Sequence, residues 1–184
     1  MKRLTLAVLA SLAMFLIAAC EEDEPIIEDE ARPVLAAEEG DGYTVHHLRT
    51  DVRGGRHEER EHLVGIDSTE DLENYLEDKS DTFRFDQGYD EDDSFKEIIE
   101  EYDETFFEDH RLVFAVIEEN SGSNHHDLEH IDLDADGNLS IALERYIPSV
   151  GTMDMAAWHI VFELDRDTFD YEEKTLEVDD VPID

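Results

Sequence analysis

The chain has 184 residues, with 52 acidic against 14 basic side chains, a formal net charge of −38 and a single cysteine. A surface of that sign repels nucleic-acid phosphates and anionic lipid headgroups, which argues against DNA or RNA as a partner. One cysteine provides no disulfide, Cys-ligated zinc or redox couple, so a folded part must be held together by its apolar core.

In chain order, Met1-Lys2-Arg3 precedes a nearly continuous apolar stretch, Leu4 to Ala19, which ends at Cys20. A basic start, an apolar stretch and small residues before the cut describe an export signal over 1–19. The stretch is shorter than the ~20 residues of a durable spanning helix. Ile17-Ala18-Ala19-Cys20 resembles a bacterial lipobox. That resemblance implies cleavage before Cys20 and acylation there, with thioether-linked diacylglycerol and usually an amide-linked chain. At ~0.8 kcal/mol per buried CH₂, two or three chains anchor firmly where one is marginal. Cys20 is thus the expected lipidation site, and the lipid bilayer the first expected partner.

Loss of Lys2 and Arg3 with the signal would take the net charge from −38 to −40. This far exceeds the ~2–8 charges that keep a small domain soluble. Lysine is scarce, four against ten arginines. Molar salt shortens the Debye length to ~3 Å and would relieve the self-repulsion. The composition therefore reads as halophilic, an adaptation to a saline exterior.

The segment 20–42 carries ten acids and one arginine, interrupted by Pro25 and Pro33. It reads as an acidic disordered tether ending at Asp41-Gly42. A single domain is expected over 43–181, with 182–184 as a tail. Tyr43 to Arg53 reads as a first strand, and His62 to Ile66 begins or joins the next element. Asp67 and Ser68 can cap a helix over 69–79 that has Leu72, Tyr75 and Leu76 on one side. Asp93 or Ser94 caps a second, in which Phe95, Ile98, Ile99 and Tyr102 recur at helical spacing. Phe106 and Phe107 form an apolar plug, and Leu112 to Ile117 reads as a central strand buried on both faces.

Two hairpins are expected next. Leu128–Asp134 and Leu139–Ile147 flank the turn Ala135-Asp136-Gly137-Asn138. Trp158, Ile160, Phe162 and Leu164 alternate with His159, Val161 and Glu163 as a half-buried strand. A tight turn at Asp165-Arg166-Asp167 and an edge strand through Leu176 and Val178 complete the pattern. Helices early and strands late predict an α+β fold, with one or two early helices packed on a mainly antiparallel β-sheet or small sandwich.

Asp132-x-Asp134-x-Asp136-Gly137-Asn138-x-Ser140 is the sharpest chemical motif, because its oxygens fall where a calcium loop places ligands. Calcium needs six to eight oxygens and normally a bidentate acid at position 12. Here that position is Leu143, with the acid displaced to Glu144. Three readings stand: an acidic hairpin turn with no cofactor, a weak surface cation site that binds calcium loosely, or a dedicated calcium site, the last two with Asp132, Asp134, Asp136, Asn138 and Ser140 as ligands. His126 and His130 share a face if the chain is extended, but at ~13 Å apart no single metal bridges them. Ser121 and Ser123 lack a nucleophile elbow, and no phosphate loop or dinucleotide fingerprint occurs.

Tyr102-Asp103-Glu104-Thr105-Phe106-Phe107, Leu112-Val113-Phe114, Ser121-Gly122-Ser123 and a Trp158-His159 strand after Pro148 are similar to a pattern in small uncharacterised bacterial lipoproteins. Some members are distantly similar to the C-terminal domain of an extracellular protease-complex-associated protein. The resemblance implies a strand-rich binding module near the cell surface, and supplies no catalytic residue to carry over. The expectation is a non-enzymatic, lipid-anchored domain facing outside the cytoplasm that binds or scaffolds a cell-envelope protein. The alternatives are a solute- or cation-binding lipoprotein using its acidic turns, and a cell-envelope hydrolase.

Overall fold

The computed structural model describes residues 38–53, 60–86 and 94–183. The expected signal 1–19, Cys20 with most of the tether, and Asp93 lie outside the described residues. The fold is α+β; the described residues form two β-sheets and three short helices.

Glu38–Gly40 (β1), inside the stretch read as a tether, pairs antiparallel with Tyr43–Val52 (β2), so the sheet starts before Asp41-Gly42. Those two residues form the turn, and Gly42 takes φ +81°, a left-handed conformation that glycine adopts without Cβ strain. Glu61–Ile66 (β3) leads into Thr69–Lys79 (α1), whose Ser68 cap accepts from the Asp71 amide. Phe83–Arg84 (β4) adds two residues beside the end of β2. Phe95–Ile99 (α2) opens with a reciprocal capping box between Ser94 and Glu97. Phe106–Asp109 (α3) then runs into His110–Glu119 (β5).

The remaining strands are His125–Leu133 (β6), Asn138–Pro148 (β7), Ala156–Asp165 (β8) and Glu173–Ile183 (β9). The larger sheet has the order β1-β2-β8-β5-β3, with β4 also on β2, and all its pairings are antiparallel. The smaller sheet is β6-β7-β9. The expected hairpin between β8 and β9 does not form. β8 crosses into the larger sheet, and β9 returns to pair parallel with β7. Pro182 and Ile183, read as tail residues, oppose Ile147 and Pro148.

The period-two pattern fixes two cores. Leu112, Phe114 and Val116 of β5, with Ala157 and Val161 of β8, face the helices beside Leu72, Phe95 and Ile99. Val113, Ala115 and Ile117, with Ile160, Phe162 and Leu164, face Leu139, Ile141 and Leu143 of the smaller sheet. Residues 112–117 are all fully buried, as the apolar run predicts. β8 departs from its half-buried reading. It lies between β2 and β5, and the helix-side core packs over its second face, so His159 is fully buried and only the Glu163 end reaches solvent.

Candidate functional site

The acidic turn comes first, because the sequence singles it out. Its geometry is that of a hairpin turn closed by its own carboxylate. Asp134 Oδ1 accepts from the amides of Asp136 and Asn138, at 2.9 Å each, and its Oδ2 accepts from Asn138 Nδ2 at 2.9 Å. Gly137, at φ +82°, lets the chain reverse and donates to the Asp134 carbonyl. The Asn138 side chain, then the backbone amides, hold the Asp134 carboxyl below its ordinary range. Asp132 and Asp136 are exposed, and Ser140 opposes Asp132 across the hairpin, where its hydroxyl accepts from Thr175. Leu143 is buried in the inter-sheet core, while Glu144 points away and accepts from the Tyr146 hydroxyl. The acid needed to finish a calcium shell is therefore turned from the loop. Among the described residues, no group of three or more His, Cys, Asp or Glu is placed to hold a metal ion. At Asp165, Oδ1 likewise accepts from the amides of Asp167 and Thr168.

A bulge decides the fate of the nearby histidines. The β6–β7 register shifts between Leu128 and His130, so Glu129 is an extra residue and the facing alternation reverses. Before it, His126 and Leu128 turn inward; after it, Ile131 and Leu133 do. His126 is 1% exposed whereas His130 is exposed. The shared face read for an unbroken strand does not exist.

What the fold assembles is a polar network at one end of the inter-sheet core. Glu119 ends the inward series Val113, Ala115, Ile117 on β5 and is 3% exposed. Its Oε1 meets His126 Nε2 at 3.0 Å and accepts from Arg145 Nε at 2.6 Å, while Oε2 accepts from Asn124 Nδ2 at 2.7 Å. Arg145 also donates to Asp180 Oδ1 at 2.8 Å and to Glu61, which ties β7 to β9 and to β3 of the other sheet. Burial pushes the Glu119 carboxyl up, but His126, Asn124 and Arg145 outweigh it and hold the group below its ordinary range. His47 lies on the same side of the larger sheet as Val45. Burial first, then the neighbouring His126, His46 and His125, lower it to about 4.

The helix side holds two more histidines. His159 Nε2 meets the Tyr75 hydroxyl at 2.9 Å and Nδ1 meets Thr50 Oγ1 at 3.3 Å. Phe83, Phe85 and Phe95 surround the ring at centroid distances of 4.9, 5.7 and 4.6 Å. Burial lowers His159 to about 3, so it is a neutral hydrogen-bonding core residue near neutral pH. Nearer the surface, Glu163 Oε1 meets His46 Nε2 at 2.7 Å and accepts from the Tyr102 hydroxyl at 2.6 Å. Burial raises the Glu163 carboxyl, and these two bonds more than reverse the effect.

Two of these clusters orient a histidine against a carboxylate: Glu119 is bonded on both oxygens, and Glu163 on Oε1. An open cleft of about 330 Å³ lies between β3 and α1, lined by His62, Asp71, Asn74, Tyr75 and Asp78. Its Asp71 accepts from the Ser68 hydroxyl and the Asp67 amide, and so serves the start of α1. The Glu119 network and the His159 cage escape a reading of motifs because their members come from separate strands. Parity gives the one usable signal: Glu119 continues the odd-numbered face of an apolar run. Compared with known proteins, the chain matches no family model, no curated protein and no solved structure.

Proposed function

We propose that this chain is a non-enzymatic domain, anchored through acylated Cys20 on the outer side of a membrane, that binds or scaffolds a protein partner. The sequence Ile17-Ala18-Ala19-Cys20 at the end of an apolar run, with ten acids in the 22 residues after it, carries the reading. Internal bonding supports binding over catalysis. General acid–base chemistry needs a side chain within reach of a substrate proton. Here Glu119, His126, Arg145 and His159 bond to one another or to core neighbours, and Glu163 is held between His46 and Tyr102.

Partner contact has its own support. Val150 and Met153 are 85% and 101% exposed on the loop between β7 and β8. That loop is pinned: the Thr152 amide donates to Ser123 Oγ at 3.0 Å, and Asp154 accepts from Arg49 Nη2 at 2.5 Å. A fixed loop that offers apolar side chains on so acidic a domain suits a protein surface. The test is photo-crosslinking from position 153 in intact cells at high salt. A discrete adduct that needs Cys20 and weakens on Val150→Asp supports the proposal. Failure to recover any reproducible adduct overturns the partner-binding reading.

A further inference from the structure

The alternation that sends Leu139, Ile141 and Leu143 into the core sends their neighbours outward, so the far face of the smaller sheet is a stack of cross-strand rows. Opposed residues share a face. Asp127 opposes Glu144 and Glu144 opposes Asp179, which sets three carboxylates in one row across β6, β7 and β9. Neighbouring strands lie ~4.8 Å apart, so the row spans about 10 Å. Like charges directly opposed destabilise a sheet. The Tyr146 hydroxyl donates to Glu144 Oε2 at 2.5 Å from the next row.

That next row is aromatic and apolar. His125 opposes Tyr146, their rings stacked at 5.0 Å and 10°, and Val181 follows on β9. Beyond it, Pro148 opposes Ile183, and the Ser149 amide donates to the Ile183 carbonyl at 2.9 Å. This bond joins the start of the β7–β8 loop to the end of β9. Val150, Met153 and Ile183 are the exposed large apolar side chains among the described residues, and all three lie on or beside this loop. The face therefore runs from an apolar tip through an aromatic pair to a row of acids.

We propose that this face, from the tip at Val150 and Met153 to the row of Asp127, Glu144 and Asp179, docks a protein surface that carries arginine beside aliphatic side chains. The proposal rests on the partner-binding reading above and adds the chemistry of the partner. A guanidinium suits both rows, because its plane stacks on aromatic rings and its fork donates to carboxylates in pairs. Aliphatic groups cover the tip. A second copy does not fit, since a two-fold interface sets the acidic row against its own mate. An anionic bilayer meets the same repulsion. Left unpaired, the row destabilises the sheet, and a bound cationic surface relieves it.

Two probes test this. In intact cells at high salt, a photo-crosslinker in place of Val181 reads the sheet face, beside the one at Met153 that reads the loop. Both should join the same partner, the adduct at 181 through a peptide that contains arginine. An adduct at 153 with none at 181 overturns the proposal and leaves the partner-binding reading standing; none at either overturns both. The second probe is a synthetic peptide of alternating arginine and leucine, titrated into the chain from Cys20 to Asp184 and followed by amide shifts. It should perturb β6, β7 and β9. Asp127→Asn with Asp179→Asn should weaken it at least about tenfold, whereas Glu73→Gln with Glu77→Gln on α1, which removes the same charge, should not. Absent binding, or equal weakening by the two pairs, would overturn the proposal. The Asp127→Asn/Asp179→Asn chain should also melt above the native one, and a lower melting temperature would make the row structural and overturn its assignment to a partner.

Discussion

Acidification should unfold this domain through its histidines before its carboxylates protonate, and the size of the effect follows from two buried rings. His159 and His47 are lowered to about 3 and about 4 inside the fold, in each case chiefly by burial. In the unfolded chain both return to ~6.5. The folded state then binds fewer protons than the unfolded one below pH 6.5. The stability these neutral rings retain is complete above pH 6.5 and is lost as pH falls toward their folded values. At ~1.36 kcal/mol per pH unit per group, the change from pH 7.5 to 4.5 is about 2.5 kcal/mol for each ring, about 5 kcal/mol together. A domain with the usual ~5–15 kcal/mol would lose much of its margin. Molar salt is needed to isolate the effect, because protonating surface acids relieves self-repulsion and acts in the opposite direction. Trp158, the only tryptophan, is 9% exposed on the central strand and reports unfolding by its fluorescence. Urea titrations in 2 M salt from pH 7.5 to 4.5 should show falling stability. His159→Gln, although less stable at pH 7.5, should show about half the native slope. An unchanged slope in that variant, or stability that rises toward pH 4.5, would refute the assignment of His159 as a buried neutral ring.

Three further outcomes follow from charge and packing. The mature domain should melt at a higher temperature near 2 M salt than in dilute buffer, because a chain taken from −38 to −40 by loss of Lys2 and Arg3 sheds much of its self-repulsion there; equal melting temperatures would remove the halophilic reading. Glu119→Ala leaves Arg145 and buried His126 without their shared acceptor and should cost about 3–5 kcal/mol in urea titration, whereas a change below ~1 kcal/mol would show the network to be dispensable. Phe162→Ala opens a cavity at a fully buried position between the sheets and should cost about 3–5 kcal/mol, with a loss under ~1 kcal/mol arguing against that core.

Periodicity revealed most of the elements and little of their arrangement. The cap at Ser68, the helix after it and the six-residue run of β5 are local signals, and local chemistry sets them. β8 misled because His159 and Glu163 sit on its second face like solvent-facing residues. Packing of Tyr75, Phe83, Phe85 and Phe95 over the sheet buries His159 on that face, and such packing is a long-range fact. The parallel return of β9 to β7 left no local trace for the same reason, and the bulge at Glu129 carries neither a glycine nor a proline to announce it. The acidic turn was legible as a turn from Asp136-Gly137. Which groups the Asp134 carboxylate accepts from depends on backbone amides that sequence does not display.

The anchor is the claim on which the functional account rests most heavily, and one mass decides it. The N-terminal peptide of protein extracted from its own cells should begin at Cys20 and carry a thioether-linked diacylglycerol. A peptide with an unmodified Cys20, or a chain recovered free in the medium, would contradict the account.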